Sequence, residues 1–137
     1  MAQFYLLSVL ANLIASLTLA GEFMAAKTRW LAIFKEVRDS RSARTIIGIC
    51  AIVIGVIKLF VLSPGEHILI LGDLLPALTG IAIGGALLAE THPARVEKAG
   101  KRVRMISETA LSYRVPVAIA GIAVASLHFL FPSFAIL

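Results

Sequence analysis

The sequence predicts an all-α integral membrane protein of four transmembrane helices, arranged as two tandem hairpin repeats. Three observations carry this expectation. Apolar residues make up 59% of the 137-residue chain and charged residues only 15%, with a mean hydropathy of +0.94. A soluble domain of this size has to cover far more of its surface with polar groups. The apolar residues fall into four runs, each near the roughly 20 residues needed to cross a bilayer. Positive charge is segregated: twelve of the 13 Lys and Arg residues lie in two segments, after the first and third runs.

The first span is read over residues 1–21, which hold no charged side chain before Glu22. A cleaved signal peptide is the alternative, with Leu19-Ala20 ahead of Gly21. Such a leader needs a positive n-region, which Met-Ala-Gln-Phe-Tyr lacks. The first basic segment carries Lys27, Arg29, Lys35, Arg38, Arg41 and Arg44, with Trp30, Phe34 and Val37 on one side. The second span covers residues 45–62, contains Lys58 and ends at Ser63-Pro64-Gly65. The third covers residues 68–89, with Asp73 and Pro76 near its start. Thr91-His92-Pro93 then offers a cap residue and a proline suited to a first helical turn. Beyond it, Val96, Ala99, Val103, Ile106 and Ala110 recur at helical spacing, and Arg95, Lys98, Lys101 and Arg102 fill much of the remaining surface. A basic amphipathic helix of this kind is suited to anionic lipid headgroups. The alternative is a helical extension into water, charged for orientation alone. The fourth span covers residues 115–137, with His128 inside it.

The two halves resemble each other. Residues 4–21 align without gaps on residues 68–85, and Arg44 then matches Arg114, Gly48 Ala118, Gly55 Ala125, and Lys58 His128. The expectation is a single membrane domain, 1–137, built from repeat 1 (1–65) and repeat 2 (66–137). With two spans per unit, the repeats insert in the same direction, related by an axis along the membrane normal. Positive charge flanking spans marks the cytoplasmic side. Both basic loops are therefore expected in the cytoplasm, with both termini and the link over residues 63–67 outside. The predicted location is the cell membrane, multi-pass, and the inner membrane in a double-membraned bacterium.

Polar groups at membrane depth are costly unless paired. Lys58 and Asp73 each lie about five residues inside an outer helix end, roughly 7–8 Å down. The short link makes their helices neighbours, so an ion pair between them is expected. His128 reaches a comparable depth through the repeat, and Asn12 approaches from about a turn deeper. The leading reading of this cluster is structural, with Lys58 snorkelling outward and Asp73 capping a helix that begins at Leu74. A second reading couples protonation of Asp73 or His128 to transport. A third gathers a divalent metal on Glu66, His67, Asp73 and His128, but these lack a regular ligand spacing. Gly80 and Gly84 on span 3, with Gly48 and Gly55 on span 2, supply surfaces for close helix packing, within the repeat or between copies.

No nucleophile elbow or phosphate loop is present in the sequence, so no catalytic residue, no metal site and no cofactor is assigned and an enzyme is not expected. Nucleic-acid binding is not expected either, since no aromatic residues interleave the basic charge. The lone Cys50 has no internal partner and is read as a packing residue. The functional expectation is an oligomeric transporter or channel-like component. The alternative is a non-transporting accessory or scaffold subunit of a larger membrane complex, anchored by the basic loops. The partners expected are the lipid bilayer, with anionic lipids at its cytoplasmic face, and further copies or a larger complex.

Overall fold

The computed structural model describes the backbone of residues 2–60 and 69–130 and the side chains of residues 5–60 and 74–130. All of the regular structure there is helical: α1 (Ala2–Leu19), α2 (Gly21–Lys27), a 3-10 turn (Arg29–Leu31), α3 (Ala32–Asp39), α4 (Arg41–Phe60), α5 (Leu69–Thr91), α6 (Pro93–Lys98), α7 (Lys101–Ser112) and α8 (Arg114–Leu130). Arg41–Phe60 and Leu74–Thr91 are each long and apolar enough to cross a membrane. Two further stretches reach that length only as bent pairs, Tyr5–Leu19 with Gly21–Lys27 at 79° and Lys101–Ser112 with Arg114–Leu130 at 74°.

α1 and α5 form the central pair, and α4 and α8 each pack against both of them. What lets these apolar helices come close is small side chains. On α4 only Gly48, Ala51 and Gly55 are buried, and on α8 only Ala118, Gly121 and Ala125. A Cβ added at Gly84 would stand 2.6 Å from the Gly48 carbonyl oxygen, and one at Gly55 would stand 2.7 Å from that of Ala77. The two helices therefore touch backbone to backbone, and the close fit that small residues allow is held by dispersion. Leu19, Ile83 and Leu87 fill the remaining centre. Outward faces keep large apolar side chains, among them Ile46, Val53, Phe60, Leu75 and Leu127, as expected of surfaces turned to lipid.

Several boundaries differ from the sequence expectation. The first apolar run is broken at Ala20, where the chain turns into α2. Gly21 makes the break possible, because α3 lies so close that a Cβ there would meet the Phe34 carbonyl oxygen at 2.7 Å. The basic segment after α5 is two helices rather than one. His92 occupies the N-cap position of α6 without a side-chain capping bond, Pro93 lies in the first turn, and Gly100 then adopts φ +99° between α6 and α7. A side chain disfavours that left-handed conformation, so glycine sets the corner. α5 begins at Leu69, with Pro76 inside it, so no helix starts at Leu74 for Asp73 to cap. Trp30 is 90% exposed in its 3-10 turn, away from the half-buried Phe34 and Val37. Cys50 is exposed on α4 and is not one of the buried core residues.

Candidate functional site: two charged clusters and the polar face between them

The basic end of the bundle holds the densest charge network among the described residues. Glu22 lies just past the break in the first run, Arg38 in the last turn of α3, and Arg44 in the first turn of α4. Glu90 lies in the last turn of α5, and Arg114 opens α8. Arg38 bridges both acids, pairing with Glu90 and standing 3.3 Å from Glu22. Arg114 does the same, 2.9 Å from Glu22 and 3.1 Å from Glu90, and Arg44 stands 3.9 Å from the second Glu90 oxygen. The Arg38 side chain is only 6% exposed and that of Glu90 15%. Arginine suits the task, since its planar fork can hold two carboxylates at once.

Helix dipoles explain the crossed pattern. An arginine at a helix N-terminus and a glutamate at a C-terminus each sit at the unfavourable end of their own helix. Pairing across helices brings the Glu90 carboxylate to the start of α4 and of α8. It brings guanidinium groups to the end of α5 in return. The network thus ties α2, α3, α4, α5 and α8 into one end plate.

At the other end, Lys58 Nζ lies 3.4 Å from His128 Nε2, a distance at which the ammonium donates to the imidazole. Tyr5 closes this group: its hydroxyl donates to the His128 carbonyl oxygen, and its ring centroid lies 4.7 Å from that of His128. Lys58 Nζ stands 6.0 Å from the same tyrosine ring, near the limit of cation–π attraction. The sequence expectation pairs Lys58 with Asp73 and places His128 only at a comparable depth; the contact among the described residues is between Lys58 and His128 themselves. The Asp73 side chain lies outside the described residues, as do Glu66 and His67 and the link 63–67. The ion pair with Lys58 and the metal reading therefore lie outside the described residues as well.

Between the two ends runs one polar face of α1. Ser8, Asn12 and Ser16 are spaced one turn apart and are 1%, 4% and 0% exposed. Asn12 does not join the Lys58 layer; its Nδ2 donates to the Pro76 carbonyl oxygen at 2.9 Å. Its Oδ1 lies where a Cβ on Gly80 would come within 2.6 Å. Ser16 Oγ donates back to the Asn12 carbonyl oxygen at 2.6 Å. Ser8 Oγ is buried with no hydrogen-bond partner among the described residues, a costly state for a hydroxyl in an apolar core.

The glycines expected to mediate packing do so within the chain. Gly48 faces Gly84, Gly55 faces Ala77 and Ile81, and Gly80 faces Ala51 and Asn12. Of the expected headgroup contacts, Lys98, Lys101 and Arg102 are exposed on the outside of α6 and α7, while Arg95 edges a groove described below. Sequence reasoning missed the network of Glu22, Glu90, Arg38, Arg44 and Arg114 as a site. Its signal was present: Arg44 matches Arg114 in the repeat, and one glutamate stands near the basic end of each of runs 1 and 3.

A model of a protein family of unknown function matches residues 1–128. The chain belongs to that family. No curated protein and no solved structure matches it. The matched region includes both charged clusters and the polar face between them, so all three lie in the part that defines the family.

Proposed function

We propose that this is a multi-pass cell-membrane protein whose four spans form two tandem repeats, and that it serves as a proton-linked transporter or channel component. The observation that carries this reading is the buried Ser8–Asn12–Ser16 face. It joins a cluster holding a histidine to one holding two carboxylates. Apolar packing alone needs no such line, and polar side chains inside a membrane bundle mark pathways by default. From Tyr5 to the bend after Leu19, α1 rises about 21 Å, about two thirds of the roughly 30 Å of a hydrocarbon core.

The packing supports the repeat. Gly80 of α5 lies against Ala51 of α4, and their counterparts by alignment, Ser16 of α1 and Gly121 of α8, lie against each other. Arg44 with Glu90 and its repeat counterpart Arg114 with Glu22 cross the bundle in the same way, the two glutamates lying four positions apart in the alignment. Lys58 meets its own counterpart, His128, as equivalent residues do near a two-fold axis. By the charge rule the network end is cytoplasmic. The bundle is too tightly filled for an open pore within one copy, so an oligomer is part of the proposal.

The rival reading, an accessory subunit that passes nothing, draws on the network itself, which fixes five helices and suits a static anchor. Reconstitution separates the two. Proteoliposomes with a trapped pH dye and an imposed potential should show proton flux. Asn12→Leu should lower it by about fivefold, a hydrogen bond of this kind being worth about 1 kcal/mol of barrier. Absence of flux from folded wild-type protein, with stable capture of one larger membrane partner, would favour the anchor.

A further inference from the structure

Beyond any transport role, we infer that the chain holds one anionic phospholipid of the surrounding leaflet in a built site between α4, α5 and the α6–α7 pair. The inference rests on the membrane reading of the chain and not on transport. A groove of about 650 Å³ runs there, within the usual range for a small-ligand site. Val96, Val103 and Ile106 form one wall and Ile49, Ile81 and Leu88 the other. The apolar stripe of α6 and α7 therefore faces a channel along the bundle instead of sealing against it. Its floor is made of small residues, and a Cβ added at Gly85 meets nothing within 4 Å.

One end of this apolar groove is polar and basic. His92 and Arg95 line both the groove and an adjoining pocket of about 570 Å³ that includes Arg41. Arg41 and His92 also line a third recess of about 320 Å³ with Ser42 and Thr45. His92 is held there, its Nε2 3.2 Å from Thr45 Oγ1 and its Nδ1 3.4 Å from an Arg41 nitrogen. Glu90 borders the second pocket, but its charge is matched by Arg38, Arg44 and Arg114. What remains is a surplus of positive donors at the mouth of an apolar channel. That complements a phosphate attached to acyl chains, at the level where the basic end plate sets the headgroup layer. A phospholipid carries acyl chains and a phosphate in one molecule, and so matches the apolar channel and its basic mouth together.

The test is lipid retention by the detergent-solubilised full chain, counted by native mass spectrometry during titration with phosphatidylglycerol or phosphatidylcholine. One phosphatidylglycerol should stay bound about tenfold more tightly than phosphatidylcholine, the scale of a charge-assisted contact. Gly85→Phe, which fills the groove from an open position, should cut that affinity at least about tenfold with helicity unchanged. Gly85→Leu should fall between them. Arg41→Gln with Arg95→Gln should erase the headgroup preference, and Lys101→Gln with Arg102→Gln should leave it intact. Equal retention by wild type and the Gly85 variants would overturn the inference. So would an equal effect of the Lys101 and Arg102 changes, which would mean diffuse surface attraction. Loss of a dimer in Gly85→Phe with lipid binding untouched would overturn it in favour of a second copy.

Discussion

Replacing Glu90 with alanine is expected to be the most damaging single change of a charged residue, loosening α5, α8 and the α2–α3 segment together. Glu90 accepts from Arg38 and Arg114 and stands within ion-pair reach of Arg44. Its removal leaves Arg38, 6% exposed, with only Glu22 to face. Breaking a buried pair by deleting one partner costs about 3–5 kcal/mol, because the stranded charge loses its compensation without regaining water. The partial exposure of Arg114 and of Arg44 moderates this, so about 3 kcal/mol is expected. Glu22→Gln offers the contrast. That carboxylate is 54% exposed, and its loss should cost no more than about 1 kcal/mol. Thermal unfolding in detergent, followed by circular dichroism, ranks the two. Equal losses would mean that the network is a surface feature. Combining Glu90→Leu with Arg38→Met should recover much of the stability, since the double change removes the stranded group as well as its partner.

Much of the bundle could be read directly from residue types. The second and third apolar runs, the proline opening α6 and the small-residue stripes on those two runs all rest on local rules, and all appear where expected. The five apolar positions from Val96 to Ala110 do line one side of their helices. What local rules could not supply is how the chain turns between helices. The break at Ala20 depends on Gly21 meeting the Phe34 backbone, a contact thirteen positions away that no periodicity reports. Gly100 interrupts a pattern whose spacing continues across it, so the stripe alone predicts one helix where there are two. The network was hidden for a related reason. Its members lie in five separate elements, and lysines and arginines beside spans carry a ready explanation as orientation signals. Only the three-dimensional crossing of α5 with α8 reveals that Arg38, Arg44 and Arg114 are largely neutralised by two glutamates.

Two adjacent glycines should respond in opposite ways to the same substitution. At Gly84 an alanine Cβ would stand 2.6 Å from the Gly48 carbonyl oxygen and 2.8 Å from Ile52 Cγ1. The first of these is backbone, so α4 must move away as a unit. Because α4 touches α5 at Gly48, Ala51 and Gly55 in register, a displacement at one level opens the others. Overpacking of this kind costs typically about 1–3 kcal/mol, and the rigid partner puts Gly84→Ala at the upper end of that range. At Gly85 the added Cβ meets nothing within 4 Å, and alanine restricts the unfolded chain and favours helix. Gly85→Ala should therefore be neutral or stabilising by up to about 1 kcal/mol. Helix propensity predicts the same gain at both positions, so only the packing of α4 on α5 can separate them. Unfolding of the two variants side by side measures that packing directly. If both were stabilised, the backbone contact between Gly48 and Gly84 would not exist in the folded protein. The small-residue stripe of α4 would then face lipid or another copy, and the packing of α4 on α5 would have to be redrawn.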